Sequence, residues 1–112
     1  MKDLINELRE FARERDWEQF HSPKNLAMAL SVEVAEIVEI FQWLTQEESK
    51  NLGSVKLDKV KQEIGDVMIF LINLADKFGI DPLEAAREKI MMNRLKYPAE
   101  LVKCKANKYT EY

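Results

Sequence analysis

The sequence predicts an all-α protein, a bundle of four main helices with the second and third antiparallel. Apolar residues recur at helical spacing along most of the chain, and no segment alternates apolar and polar residues as a half-buried strand does. A length of 112 residues suits one core. We therefore expect one domain, residues 1–98, followed by a polar tail, residues 99–112.

The first half of the chain contains two predicted helices. Apolar residues at helical spacing from Leu4 to Ala12 form one face of a first helix that ends near Arg15. After a connector, Ser22-Pro23 is a typical helix start, because the serine hydroxyl caps the helix and proline needs no N–H at the first position. The second helix is expected to continue to about Leu44.

The second half contains two more predicted helices. Residues 45–54 are polar and include a glycine, so we interpret them as a loop. Apolar spacing from Leu57 to Phe78 predicts the third helix, and Gly79 supplies its stop. The segment from Asp81 to Glu84 has the N-cap aspartate, the proline and the capping-box glutamate of a new helix start. The fourth helix is expected to end at Tyr97-Pro98.

Composition excludes several classes of protein. The net charge of −3 and the pI of 5.3 disfavour a broad basic surface for nucleic acid. The single Cys104 offers no internal disulfide, and no charged-then-apolar leader precedes the first helix, so a cytoplasmic location is expected. The longest apolar runs, such as Val67 to Ile72, are far shorter than the roughly 18 to 20 residues of a membrane span.

The second helix is apolar almost all round its circumference. A monomer of this size cannot bury such a surface completely, which predicts an obligate oligomer. Within the third helix, Gly65 costs about 1 kcal/mol relative to alanine. We interpret this glycine as the site of a close helix approach beside Asp66.

Four carboxylates lie on apolar faces of these two helices. Glu33 and Glu36 are one turn apart among aliphatic residues of the second helix, and Glu63 and Asp66 repeat that spacing on the third. Unpaired carboxylates are costly to bury, and four of them repel one another. A positive partner is therefore required if these faces pack together.

A hard divalent cation is the simplest such partner. Residues 26–44 and 63–75 contain no lysine or arginine that could neutralise the acids from within either helix. Mg2+ keeps several waters and takes phosphate oxygens beside a few carboxylates, so the pattern describes a triphosphate site. A solvated or salt-bridged acidic face remains the alternative interpretation.

Several segments, in the same order and over most of residues 11–98, resemble the MazG-like family of all-α nucleotide pyrophosphohydrolases, particularly its dCTP pyrophosphatase branch. They are FARERDWEQFH at 11–21, PKNL at 23–26, EVAE at 33–36 with FQW at 41–43, EIGDV at 63–67 and NRLKYP at 93–98. Two positions depart from the pattern. Val32 stands where many members have a further glutamate, and Phe70 stands where the branch often has tyrosine.

The resemblance implies a metal site and a reaction. Glu33, Glu36, Glu63 and Asp66 would bind Mg2+, with Mn2+ as a substitute, and the enzyme would cleave a nucleoside triphosphate to its monophosphate and pyrophosphate. We assign the role of general base to Glu36. The expected substrate is dCTP or a modified pyrimidine deoxynucleotide, consistent with cleaning of the nucleotide pool.

The resemblance also implies two groups of substrate contacts and an assembly. The phosphates would be bound by Lys89, Asn93 and Lys96. The nucleoside would be bound by Trp17, His21, Trp43 and Phe70. Ordinary packing, capping and helix-dipole roles are the structural alternatives for these residues. A homodimer or a dimer-based homotetramer is expected, with pockets that draw residues from two chains.

Two other functions were considered. A catalytically silent helical module could use the same carboxylates to bind a structural metal or to sense nucleotides. A di-iron carboxylate bundle needs two Glu-x-x-His pairs, and a chain with one histidine cannot supply both.

Overall fold

The computed structural model describes residues 1–103, and its regular structure within that range is entirely helical. The elements are α1 (Lys2–Glu14), a 3-10 turn (Glu18–Phe20), α2 (Pro23–Phe41), α3 (Gln46–Lys50), α4 (Ser54–Asp76), α5 (Pro82–Lys96) and α6 (Ala99–Val102). The four long helices are those predicted from the sequence. The all-α fold class is confirmed.

Ser22 and Asp81 cap their helices as predicted, whereas within residues 1–103 the Glu84 carboxylate does not accept the reciprocal capping-box bond from the Asp81 N–H. The Ser22 hydroxyl accepts a hydrogen bond from the Asn25 backbone N–H at 3.1 Å. At the start of α5, the Asp81 carboxylate accepts hydrogen bonds from the backbone N–H groups of Leu83 and Glu84 at 2.8 and 3.3 Å. These bonds satisfy donors that the first turn of a helix leaves without backbone partners.

The stop at Gly79 is also confirmed. Gly79 has φ of 64°, a left-handed conformation that costs glycine little, and its N–H donates to the carbonyl of Asp76 at 3.2 Å. The following N–H, of Ile80, donates to the carbonyl of Ala75 at 3.0 Å. This pair of bonds is a Schellman motif, which closes α4 and turns the chain toward α5.

The predicted loop at residues 45–54 was wrong in part, because it contains α3. Thr45 and Glu48 form a reciprocal capping box: the Thr45 hydroxyl accepts from the Glu48 N–H at 3.1 Å, and the Glu48 carboxylate accepts from the Thr45 N–H at 2.9 Å. Such a box stabilises even one turn of helix. The sequence contains this Thr-x-x-Glu signature, although the polar composition of the whole segment favours a loop.

Two further boundaries differ from the expectation. α2 ends at Phe41, three residues before Leu44, and the Leu44 N–H donates to the Phe41 carbonyl at 2.9 Å in a tighter turn. In the predicted tail, Ala99–Val102 forms the short helix α6. The rest of the predicted tail beyond residue 103, including Cys104, lies outside the described residues.

The core lies between α2 and α4, which form the most extensive helix pair. Helix α1 packs on α4 less extensively, and α5 makes few contacts with α4. Leu26 on α2 and Ile72 on α4 are each only 1% exposed, and Ala12 of α1 is also buried. α4 therefore positions the other helices. Among residues 1–103, no helix combines the length and the apolar character needed to cross a lipid bilayer.

Many large apolar side chains stay exposed outside this core. On α2 and α5 they include Met28, Val32, Val34, Val38, Ile90, Met91, Met92 and Leu95. The hydrophobic effect favours covering such a surface. The single chain leaves its second and fifth helices incompletely packed, as the sequence pattern of the second helix predicted.

Candidate active site

An acidic cluster lies at the contact between α2 and α4. Glu33 and Glu36, one turn apart on α2, face Glu63 on α4, and one carboxylate oxygen of each lies within 4.8 Å of the other two. All three residues are half-buried. The Oε2 atoms of Glu33 and Glu63 are shielded from solvent and have no hydrogen-bond partner among the described residues.

The crowding of these carboxylates raises the pKa of Glu33 and of Glu63. Hydrogen bonding with Glu36, which requires a proton on one of the two carboxyls, raises the pKa of Glu63 to about 7, and burial adds to the effect. Burial raises the pKa of Glu33, and the nearby charges of Glu36 and Asp66 add to it. Within residues 1–103, every neighbouring charge behind these two shifts is another carboxylate.

Asp66 is the fourth predicted metal ligand. It lies one turn beyond Glu63 on α4 and is exposed, and its charge reaches Glu33. The three glutamates converge while Asp66 flanks them. The structure thus brings together three of the four predicted ligands and places the fourth at the edge of the cluster.

This donor set fits a hard divalent cation. Carboxylate oxygens are the ligands that Mg2+ and Mn2+ take in proteins, and the two buried oxygens without donors have unsatisfied acceptor capacity. Burying such carboxylate oxygens costs free energy unless a cation or a hydrogen-bond donor lies beside them. Glu33, Glu36 and Glu63 are the residues that could hold the cation, with Asp66 available beside them.

A ring-lined cavity of about 160 Å3 lies between α1 and α4. Trp17, His21 and Phe70 all line it, so three of the four predicted nucleoside contacts come together in one chain. The remaining walls are formed by Leu8, Phe11, Ala12, Ile69 and Asn73. A planar apolar group is the kind of ligand that such walls accommodate.

The turn after α1 positions Trp17. Asp16 has φ of 53°, and the Trp17 N–H donates to the Ala12 carbonyl at 2.9 Å, which closes α1. The indole then meets the Phe11 ring edge-to-face, with centroids 5.7 Å apart and planes at 70°. Trp17 remains 46% exposed, so the indole retains surface for a ligand.

His21 supplies a polar group to the same cavity. Burial lowers the pKa of its imidazole, and the positive charge of Lys77 lowers it further, while Glu18 opposes them. The ring is therefore neutral at neutral pH. A neutral imidazole donates one hydrogen bond and accepts another.

A second, more polar cavity of about 360 Å3 adjoins the first, since Leu8, Ala12, His21 and Asn73 line both. Its far wall contains the ion pair of Arg9 and Asp76, in which the guanidinium donates to both carboxylate oxygens at 2.6 and 2.8 Å. This bidentate pair ties α1 to α4 beside the ring-lined cavity.

The remaining predicted contacts lie elsewhere. Trp43 follows α2 and is 86% exposed, and Lys89 and Asn93 are exposed on α5. Lys96 is half-buried at the end of α5. None of these four lines either cavity or belongs to the acidic cluster in the described chain.

The sequence reasoning did not select Asn73 as a site residue. Asn73 follows Asp66 by two turns on one face of α4, and this spacing was the available signal. Leu8 and Phe11 appeared in the sequence as part of an ordinary apolar face. Their place in the cavity depends on how α1 docks on α4.

The MazG-like family model matches residues 28–111. This chain belongs to the MazG-like family, which confirms the resemblance drawn from the sequence.

Several named relatives share this similarity. The chain is 42% identical to human dCTP pyrophosphatase 1 over 113 residues, an alignment that covers 99% of this chain and 66% of the relative. It is 39% identical to the mouse dCTP pyrophosphatase 1, with the same coverage. The chain thus spans about two thirds of the length of these curated relatives.

A solved structure has a similar fold. A pyrophosphatase from Archaeoglobus fulgidus superposes with a TM-score of 0.83 at 43% sequence identity, covering 88% of this chain and 92% of that one. Both the helical arrangement and the sequence are therefore shared.

Proposed function

We propose that this protein is a metal-dependent nucleoside triphosphate pyrophosphohydrolase. It would hydrolyse the bond between the α and β phosphates of a nucleotide and release the monophosphate and pyrophosphate. The observation that carries the proposal is the cluster of Glu33, Glu36 and Glu63, with two buried oxygens that have no donor among residues 1–103. The named activities of the human and archaeal relatives support the same reaction.

In this proposal Glu33, Glu36, Glu63 and Asp66 hold Mg2+, for which Mn2+ substitutes. The bound cation supplies positive charge for phosphate oxygens and lowers the pKa of a coordinated water. The chain positions this chemistry by packing α2 against α4, so that the ligands converge from two rigid helices.

Glu36 is the proposed general base. It interacts with Glu63 and Glu33 within the cluster, so its carboxylate is held beside the other two. Its carboxylate accepts a proton from the water whose oxygen forms the new bond to phosphorus. The phosphoanhydride bond breaks, and its electron pair leaves with pyrophosphate.

The ring-lined cavity is the proposed nucleoside pocket. Trp17 and Phe70 contact the base, and His21 provides a hydrogen-bonding edge. The phosphates would be bound by Lys89, Asn93 and Lys96, and Trp43 would also contact the nucleoside. These four residues would reach the site from a neighbouring chain.

A homodimer or dimer-based homotetramer is part of the proposal. Large apolar side chains on α2 and α5, including Val38 and Met91, stay exposed in the single chain. Oligomer formation would cover the apolar residues left open on α2 and α5. Light scattering on the eluted protein should give two or four times the chain mass, and a monomer would contradict this part.

The preferred substrate is proposed to be dCTP or a modified pyrimidine deoxynucleotide, acted on in the cytoplasm. The experiment compares dCTP, 5-methyl-dCTP, dUTP and dTTP, each with Mg2+, with Mn2+ and with EDTA, and measures pyrophosphate. We expect metal-dependent release that is fastest with a cytosine nucleotide. Binding of these nucleotides without pyrophosphate release would instead indicate a silent nucleotide-binding module.

A further inference from the structure

The face of α4 that carries the acidic cluster continues into the two cavities. Glu63, Asp66, Phe70 and Asn73 follow one another at spacings of three and four residues, which places them along one stripe of the helix. Asp66 and Asn73 are separated by about 10 Å along the axis at 1.5 Å per residue. This separation is comparable with the length of a nucleoside unit. A substrate whose phosphates lie at the acids would therefore place its base near Asn73.

Asn73 is chemically unlike its neighbours in the ring-lined cavity. It is half-buried, and apart from His21 and the indole N–H of Trp17, the side chains around the cavity are apolar. Within residues 1–103, no hydrogen bond engages the Asn73 carboxamide. A half-buried amide whose donors and acceptor make no hydrogen bonds costs free energy in apolar surroundings. A ligand that hydrogen-bonds to the amide would remove this cost.

The position of Asn73 also suits recognition of the polar edge of a nucleotide base. It lines both cavities, so it lies at their junction, whereas Trp17 and Phe70 line only the ring-lined one. A base that packs against the rings would have its plane in the first cavity and its polar edge toward the junction. Base edges present donors and acceptors side by side, and a carboxamide matches such a pair.

We propose that the Asn73 carboxamide hydrogen-bonds the edge of the substrate base and is a specificity-determining residue of the nucleoside pocket. This inference rests on the proposed function, because it assigns the base to the cavity beside Phe70. It makes Asn73 a binding residue that has no part in the proton transfer assigned to Glu36.

Calorimetry with two product-like ligands tests the proposal directly. The ligands are dCMP, which carries a base, and deoxyribose 5-phosphate, which carries none. Asn73→Ala and the volume-matched Asn73→Leu should each weaken dCMP binding about five- to tenfold, the effect of losing a hydrogen bond in a shielded site. Deoxyribose 5-phosphate binding should change less than twofold. Asn6→Ala, which removes an exposed asparagine from α1, should leave both affinities unchanged.

The outcomes separate this inference from the proposed reaction. Unchanged dCMP affinity in both Asn73 variants, equal weakening of both ligands, or no dCMP binding by the wild-type chain would overturn the role of Asn73. Asn73-dependent dCMP binding by a protein that releases no pyrophosphate would uphold the inference and remove the proposed reaction. With an active enzyme, Asn73→Ala should raise KM for dCTP with little change in kcat. This result is expected because the bound substrate and the transition state would lose the same hydrogen bond.

Discussion

The two ends of the α4 stripe differ in how their polar groups are satisfied. At the Glu63 end, three carboxylates from two helices crowd together, and two of their oxygens receive no hydrogen bond from the described part of the chain. At the Asn73 end, rings and aliphatic side chains line a cavity of about 160 Å3, and the Arg9–Asp76 pair beside it is bonded through both carboxylate oxygens. One helix therefore carries a crowded group of acids and, nearly three turns further on, the mostly apolar wall of a cavity.

This difference separates the groups that stabilise the fold from the groups that indicate a bound ligand. Converging acids destabilise a fold, so their presence on a rigid helix pair indicates a charged ligand. The ring-bearing end has an ordinary packing explanation for most of its residues, and only its unpaired polar groups indicate a ligand. Variants at the two ends should therefore fail in different ways.

The largest expected effect is at the acidic end. Glu36→Gln should reduce pyrophosphate release by a factor of at least about 100, because the proposed base can no longer accept a proton. The melting temperature should be unchanged or higher, since one repelling charge is gone. Pyrophosphate assays and thermal melts measure the two quantities. Glu39→Gln, which changes an exposed acid on the same helix, should leave the rate unchanged; retained activity in Glu36→Gln would remove its assignment as base.

A smaller effect is expected at the ring-lined end. Trp17→Ala should raise KM for dCTP roughly tenfold, in line with the 1 to 3 kcal/mol that stacking of a base on an aromatic ring contributes. Metal affinity should not change, because Trp17 lines the cavity and does not belong to the acidic cluster. Steady-state kinetics and a Mn2+ titration distinguish these effects. Phe20→Ala, an exposed aromatic that does not line the cavity, is the matched control.

The glycines beside the two ends should respond with opposite signs. Gly79→Ala should lower the free energy of unfolding by about 1 kcal/mol, because φ of 64° is unfavourable for a residue with a Cβ. Gly65→Ala should raise it by about 1 kcal/mol, because alanine is the better helix former and an added Cβ meets nothing within 4 Å in the described chain. Denaturant unfolding measures both.

Gly65 has open space beside it in the described chain. The sequence suggested a close helix approach at this position, and within a single described chain this is wrong, because the space beside it is open. A destabilising Gly65→Ala variant would contradict the expected gain. It would place another chain against that surface.

The smallest effect concerns the ion pair that ties α1 to α4. The hydrogen bond from Arg9 holds the pKa of Asp76 below its usual value, so the pair stabilises the fold above the unfolded pKa of about 4. That stability is lost as the pH falls through the lower, folded pKa. Asp76→Asn should cost less than about 1 kcal/mol at pH 7.

The difference between Asp76→Asn and the wild type should disappear in acid, since protonation removes the same charge. Melting temperatures between pH 7 and pH 2 measure this convergence, and Arg9→Gln should give a similar loss at neutral pH. A gap that stays constant down to pH 2 would show that packing, not charge, is responsible.

Much of the site could be predicted because it depends on local rules. The spacing of Glu33 and Glu36, and of Glu63 and Asp66, fixes which acids share a helical face before any tertiary contact is known. Likewise Ser22, Asp81 and Gly79 mark helix ends through hydrogen bonds within a few residues. α3 depends on the equally local Thr45 and Glu48 signature, but the polar composition around that signature is typical of a loop.

Other features required the packed chain. Whether Phe11 faces a neighbour or a ligand depends on the angle at which α1 meets α4, and no periodicity encodes that angle. Asn73 stands out only in the folded chain, where it lies at the junction of two cavities and its amide has no hydrogen bond within residues 1–103. Trp43 and α5 remain apart from both cavities in the single chain, so their assigned contacts depend on assembly.

By itself the sequence determined the helical class, the positions of most helix ends and the pairing of acids on two faces. These follow from hydrogen bonds and side-chain directions over a few residues, where geometry leaves little choice. The tertiary structure decided which acids converge, which rings enclose a cavity and which polar groups are left without partners. Those outcomes depend on how surfaces distant in the chain fit together, because burial and electrostatic repulsion act through space.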